Sequence, residues 1–300
     1  MLTILAVSTL AAAAMLKGCL NWGLLTGMDA DVPVRAYIVN LARSSDRRQY
    51  IEAELRKTGV QYEVITAVDG QNLDLNDEYL IDQNARQAGW FRPGVAGCAL
   101  SHLQVYRQVL ADGARVALVL EDDVTLPADL EQLAVAVAAH MTGPEVALLN
   151  FQTQRPCLLS TVGSVALPHQ RLLVYPVDPH QLTSGGAYLV TYEACESLSR
   201  WVLPVRARAD DWGVMCDSGA LKRVRCVYPL PVRKNFDIYS TMSYHGSGFR
   251  ARLQVLARRQ IPGVYQLLAL RRKRIDQRWS RVKLVGDTPP HLQPHASSAT

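Results

Sequence analysis

From residue 34 onward, apolar and polar positions alternate between short apolar runs and stripes at helical spacing. Residues 34–41 (VRAYIVNL) form a β-branched apolar run of the kind that makes a buried strand. Ser44 or Ser45 stands where a helix N-cap belongs, Tyr50, Ile51 and Leu55 follow on one face, and Gly59 supplies the stop. Residues 60–68 predict a second strand, closed by a turn at Asp69-Gly70. Residues 71–91 are polar with few apolar anchors, and predict a loop with one short helix. Residues 97–110 predict a helix that shows Ala99, Leu103, Tyr106 and Leu110 to one side. Residues 115–124 (RVALVLEDDV) are a nearly all-apolar strand that ends abruptly in three acids.

The second half continues the pattern. An alanine-rich helix is expected from Pro127 to about His140, then a strand at 145–151, then a long variable loop containing a hairpin at 152–180. Residues 184–191 (SGGAYLVT) read as a strand, 192–201 as a helix and 223–229 as a further strand. Strands alternating with helices predict an α/β fold with a mostly parallel sheet and helices on both faces. No internal repeat is visible. Ligands of such sheets sit at the carboxyl ends of the strands, where Asn40, Asp69 and the run 121–123 fall.

Composition narrows the picture. The chain has 300 residues, 49% of them hydrophobic and 20% charged, enough for one sizeable core. Its net charge of +5 is unevenly spread: residues 250–283 carry 11 Lys or Arg against one acid, whereas the first 249 hold 21 bases against 25 acids. Basic clusters there alternate with apolar groups, which predicts a helical tail at 248–285 that docks on an anionic membrane surface; a helical pair packed on the core is the plainer alternative. The six cysteines show no CxxC spacing, which argues against a zinc module or a disulfide scaffold. Residues 1–16 are almost wholly apolar but short for a membrane span and lack a preceding basic region. Segment 1–30 is therefore either an anchor or signal, or lies upstream of a native start at Met28. No GxSxG, P-loop or GxGxxG is present, which counts against hydrolase, kinase-like and dinucleotide-binding readings.

The acidic clusters carry the candidate chemistry. Glu121, Asp122 and Asp123 at a buried strand end repel one another unless a cation or donor neutralises them. Hard oxygen ligands suit Mg2+ or Mn2+, which would bridge a nucleotide diphosphate and offset charge on it as it leaves; a solvated turn before Pro127 is the alternative. Asp210-Asp211, beside Trp212, offers a carboxylate to take a proton from an acceptor hydroxyl, with Asp211 preferred, or else simply caps a helix. Gly185-Gly186 lets backbone approach a ligand closely, or only makes a turn. His245, in YHGSG, is a candidate metal ligand or donor on a closing loop. His102, alone in its helix, reads as a packed residue.

Four blocks taken together resemble glycosyltransferase family 25, the lipopolysaccharide biosynthesis glycosyltransferases that include the procollagen galactosyltransferase domains. They are YIVNLARSSDRR (37–48), YEVITAVDG (62–70), GVAGCALSHLQVYRQVL (94–110) with ALVLEDDV (117–124), and SGGAYLVTYEACESL (184–198) with ADDW (209–212). The resemblance spans about two-thirds of the chain. It implies a GT-A-like fold, a UDP-sugar donor and Mn2+ or Mg2+, with Asn40, Arg43, Arg47, Asp69, Glu121, Asp122, Gly185 and Gly186 on the nucleotide side. Asp122, Asp123 and His245 then hold the metal, and Asp211 or Asp210 is the base.

The resulting expectation is a single glycosyltransferase domain at 31–247, a basic helical tail at 248–285 and a disordered terminus at 286–300. Such an enzyme would transfer a sugar, galactose from UDP-galactose first among the choices, with inversion, to a lipid-linked lipopolysaccharide or lipooligosaccharide glycan. It would work in the cytoplasm, peripheral on the inner membrane face, without a nucleic-acid partner. A metal-dependent phosphohydrolase would need further His and Asp ligands near the strand ends, and they are scarce. A non-catalytic glycan-binding relative would lack the carboxylates, and both clusters are intact.

Overall fold

The computed structural model describes residues 34–153, 156–235, 281–287 and 289, with 266, 270 and 274 as isolated helical positions. The apolar segment 1–30, His245 and nearly all of the expected basic tail lie outside the described residues. Among the described residues, no helix is long and apolar enough to cross a membrane.

The elements follow one another as β1 (Arg35–Asn40), α1 (Ser45–Leu55), β2 (Tyr62–Thr66), α2 (Gln83–Gln87), α3 (Pro93–Ala111), β3 (Val116–Glu121), β4 (Val124–Thr125), α4 (Leu130–Ala138), β5 (Glu145–Leu148) and β6 (Gln152–Thr153). The second half adds β7 (Cys157–Leu167), β8 (Arg171–Pro176), β9 (Leu182–Thr183), β10 (Ala187–Thr191), α5 (Tyr192–Trp201), α6 (Trp212–Asp217), β11 (Arg223–Tyr228), β12 (Arg233–Lys234) and β13 (Val282–Val285). Among the described residues, nine strands make one sheet in the order β13-β7-β8-β11-β5-β10-β3-β1-β2. Seven of those nine point the same way, and only β8 and β10 run against them. The mostly parallel α/β sheet read from the sequence is therefore present.

The strands at the centre are buried at nearly every position because both faces are covered, and they read as near-continuous apolar runs. Successive side chains alternate between faces. Tyr37, Ala117, Val119, Tyr188 and Val190 join the core beneath α3, α5 and α6. Ala36, Ile38, Leu118, Leu120 and Leu189 join the core beneath α1 and α4.

Three local expectations are corrected. Ser44 precedes α1 but its side chain makes no capping hydrogen bond. Instead, its carbonyl accepts from Asn40 Nδ2 at 3.2 Å. The hairpin expected within 152–180 is present as β7 and β8, but it fills much of that segment and joins the main sheet instead of lying in a variable loop. Near the end of the chain, residues 282–285 were expected to be helical but form β13, paired in parallel with β7. An edge strand's open backbone groups are satisfied there by a segment distant in sequence, a pairing that local periodicity does not reveal.

Two glycines fix how α3 meets the end of β2. A Cβ on Gly97 would stand 2.6 Å from Gly70 N, and one on Gly70 would stand 1.9 Å from Pro93 O. The helix start and the turn at residues 69–70 thus touch through bare backbone. Ser101 ties the same junction, accepting from Val68 N at 2.8 Å and donating to Gly97 O at 2.6 Å.

Candidate functional site

Parallel pairing of β1 with β2 and β3 brings Asn40, the turn at Asp69 and Glu121 to one edge of the sheet. The alternation that builds the two cores also divides the acidic run. Glu121 continues the Ala117–Val119 series towards α3, and Asp122 continues the Leu118–Leu120 series towards α1.

On the α1 side, Asp122 is buried and both its oxygens are taken. Asn40 Nδ2 donates to Oδ2 at 2.6 Å, and the Arg47 guanidinium pairs with Oδ1. Arg47 also faces Asp123 Oδ2 at 3.0 Å; the two side chains are only 8% and 2% exposed. A guanidinium shared between buried carboxylates removes much of the repulsion that the sequence presents. Asp123 Oδ1 is buried with no hydrogen-bond partner. It is the oxygen of this run most open to a hard divalent cation, since each Asp122 oxygen already accepts from a donor. Arg43 pairs with Asp69 on the outer rim.

The remaining counter-charge comes from far along the chain. Strand β12 pairs antiparallel with β4, and Asn235 N donates to Asp123 O at 2.7 Å. This places Lys234 Nζ 3.3 Å from Asp123 Oδ2 and 3.8 Å from Glu121 Oε2. Burial alone would depress the Lys234 pKa, but the Glu121 and Asp123 carboxylates outweigh it and hold the ammonium above its ordinary range. Burial, opposed by Lys234 and reinforced by Asp123, pushes Glu121 up to about 7.

On the α3 side, Cys98 and His102 lie one helical turn apart and face Glu121. His102 Nδ1 is 2.7 Å from the Tyr188 hydroxyl, which is 3.1 Å from that of Tyr106. Its Nε2 is buried without a hydrogen-bond partner. Burial lowers the His102 pKa to about 4, so the ring is neutral at ordinary pH.

Two clefts meet here. The first, of about 260 Å³, is lined by Arg43, Arg47, Asp69, Glu121, Asp122 and Asp123, with the turn at Gly70 and the start of α3. The second, of about 370 Å³, is lined by Trp90, Arg92, Gln152, Ser184, Arg208 and Asp210, among others. Cys98, Glu121 and Lys234 line both.

The other expected residues divide sharply. Asp210 lies in the second cleft, accepting from Ser184 N at 2.7 Å. Asp211 lines neither described cleft; it accepts from Arg208 N at 2.9 Å, and burial raises its pKa. The local backbone turns the first carboxylate into the cleft and the second back onto its own loop. Gly185 lines the second cleft, while Gly186 sits in the sheet, its carbonyl accepting from Glu121 N at 2.9 Å. Asn40 acts through Asp122 rather than lining a cleft. Sequence reasoning missed Lys234 and the Cys98–His102 pair. Lys234 has no local motif, but Cys98 and His102 at i and i+4 beside the acidic strand end were a readable signal.

The segment that builds most of the first cleft is similar to known proteins. Residues 34–158 match the model of glycosyltransferase family 25 (LPS biosynthesis protein). The chain is 36% identical over 101 residues to "Putative glycosyltransferase R655" of Acanthamoeba polyphaga mimivirus, covering 33% of this chain and 31% of that protein. It is 30% identical over 96 residues to "Procollagen galactosyltransferase 1" of Danio rerio, 29% of this chain and 16% of the relative. It is 31% identical over 134 residues to "Inactive glycosyltransferase 25 family member 3" of Homo sapiens, 40% of this chain and 22% of the relative. The chain thus spans less than a third of the length of each. The strand-end acids, the Gly70–Gly97 junction and the start of β5 all lie inside the segment, residues 34–158, that is similar to glycosyltransferase family 25.

Proposed function

We propose that this chain transfers a glycosyl group from a nucleoside diphosphate sugar in the first cleft to an acceptor hydroxyl in the second. The observation that carries the reading is that the two clefts meet at Glu121 and Lys234, with Arg43 and Arg47 on one side and the Asp210 carboxylate on the other. In its fullest form the reaction is inverting, the donor is UDP-galactose and the acceptor a lipopolysaccharide or lipooligosaccharide hydroxyl. The galactosyl choice is supported by the name of the Danio rerio relative and the glycan choice by the family description.

Arg43, Arg47 and Lys234 would offset the diphosphate charge as the bond to the sugar's anomeric carbon breaks. Asp210 would accept the acceptor hydroxyl's proton as its oxygen forms the new bond from the opposite face. Mn2+ or Mg2+ would fit at Asp123, whose Oδ1 has no partner, with Glu121 beside it. There it would supply further charge neutralisation to the diphosphate. The alternation of basic and apolar residues in 248–280 supports cytoplasmic work at the inner membrane face, with that segment on anionic lipid.

The test is a transfer and donor-hydrolysis assay across nucleotide sugars, with Mn2+, with Mg2+ and with EDTA. Release of the nucleoside diphosphate with one donor, abolished by Asp123→Asn, is expected. No turnover with any donor, beside intact nucleotide binding, would favour a non-catalytic relative, as the name of the human protein describes that protein.

A further inference from the structure

The α3 wall of the junction has a chemistry that nucleotide-sugar binding does not use. The ligand atoms that Cys98, His102 and Glu121 offer all lie within 4.8 Å of one another. They are a sulfur, an imidazole nitrogen and a carboxylate oxygen, a softer donor set than the carboxylate oxygens of the acidic run alone. His102 Nδ1 is already engaged by Tyr188, which leaves Nε2, buried and unpartnered, as the nitrogen on offer. A buried ring nitrogen without a partner is costly unless something occupies its lone pair.

The surroundings are arranged for an occupant. Gly185 covers the spot: a Cβ there would stand 3.5 Å from His102 Nε2 and 3.8 Å from Glu121 Oε1. The bare backbone leaves open the space that a side chain would fill. Glu121 turns its other oxygen, Oε2, to Lys234, so one carboxylate can serve both neighbours. The Tyr188 hydroxyl on Nδ1 fixes the ring's orientation, as the outer partner of a metal-bound histidine does.

We propose that Cys98, His102 and Glu121 hold a soft divalent transition-metal ion of the Zn2+ class, at a site distinct from the oxygen ligands at Asp123. Sulfur and imidazole donors select such ions over Mg2+ and Mn2+. A tetrahedral zinc centre separates its ligand atoms by roughly 3.3–3.8 Å, so the three side chains need close only slightly. Binding releases the Cys98 thiol proton to solvent. Thiolate and carboxylate then cancel the ion's two charges, and the neutral imidazole completes three protein ligands. The fourth position opens on the junction of the clefts, since Cys98 and Glu121 line both.

The site is tested on the full chain, stripped with EDTA and titrated with Zn2+ by calorimetry, then with Co2+ by absorption. One strong Zn2+ equivalent is expected, with a thiolate-to-cobalt charge-transfer band in the near ultraviolet. Cys98→Ser should remove the band, and Cys98→Ser and His102→Gln should each weaken Zn2+ binding by more than about tenfold, the loss usual for disturbing even an outer partner. Cys216→Ser, on α6 and lining neither cleft, should change neither. If the Cys98 variant fails to fold, alkylation of Cys98 in wild-type protein, read by peptide mass spectrometry, replaces it; Zn2+ should protect the thiol. No strong equivalent, affinity unchanged in the folded variants, or unprotected Cys98 would each overturn the proposal. Its fate is separable from glycosyl transfer, because metal uptake is read without any donor or turnover.

Discussion

The two clefts share three residues but are built in different ways. The wall of the first comes from strand ends and helices, and its buried carboxylates face fixed cations: Asp122 and Asp123 meet Arg47, and Lys234 reaches Asp123 and Glu121. The wall of the second comes largely from loops. Asp210 is held there by the N–H of Ser184, a non-glycine residue with φ of 92°, and Arg208 stacks over Trp90 at 5.8 Å. Apart from Lys234, every residue lining the first cleft lies within the matched segment 34–158; Thr183, Ser184, Gly185, Arg208, Ala209 and Asp210 of the second lie beyond it. A rigid wall suits a ligand that stays the same, and loops set on a scaffold suit one that varies. In the proposed reaction these ligands are the nucleotide and the acceptor.

The largest effect should come from the loop side. Asp210→Asn should lower turnover by on the order of 10²–10⁴, the usual worth of a general base, with nucleotide affinity kept. Asp211→Asn should cost about 1 kcal/mol of stability through one lost hydrogen bond and spare most of the activity. The reverse ranking in steady-state kinetics would return the base to Asp211 and undo the contrast between the clefts.

On the rigid side the expected damage is to the fold. Arg47→Met strands Asp122 and Asp123 without their shared partner, and should cost about 3–5 kcal/mol in urea unfolding. Arg43→Met, at a side chain 46% exposed, removes a rim pair and should cost at most about 1 kcal/mol. Equal losses would mean that burial does not separate these two arginines.

His102 should make the metal-free protein sensitive to acid. Its pKa is about 4 in the fold against an ordinary 6.5, so the fold holds the neutral ring. The stability that this preserves is complete above about pH 6.5 and is lost as pH falls towards 4, up to about 3 kcal/mol. Urea unfolding between pH 7 and 4 should show that loss, and His102→Gln should flatten it. A further stability test lies at the contact of α3 with the turn after β2. Gly97→Ala pushes a methyl into backbone and should cost about 1–3 kcal/mol, read as a lower urea midpoint.

Much of the rigid side was legible in the sequence, because both its structure and its chemistry are local. Apolar runs gave β1, β2 and β3, and the strand-end rule gathered Arg43, Arg47, Asp69 and Glu121–Asp123 into one cleft. Division of the acidic run was implicit in strand alternation, although its consequence for Asp122 required Arg47 to be seen in place. Lys234 was not legible, since it arrives through β12 pairing with β4 more than 100 residues earlier. Asp210 and Asp211 were found as a pair, yet only backbone direction tells which one faces the cleft. Strand β13 was hidden for the same reason as Lys234: its partner β7 is far away in the chain.

The most direct measurement is equilibrium binding of UDP, UMP and uridine to the full chain by calorimetry with Mn2+ present. A donor diphosphate seated among Arg43, Lys234 and Asp123 predicts that UDP binds well above UMP, that uridine binds weakest, and that Arg43→Met and Asp123→Asn each erase most of the advantage of UDP. Equal affinity for all three ligands, or an advantage of UDP untouched by both substitutions, would contradict it.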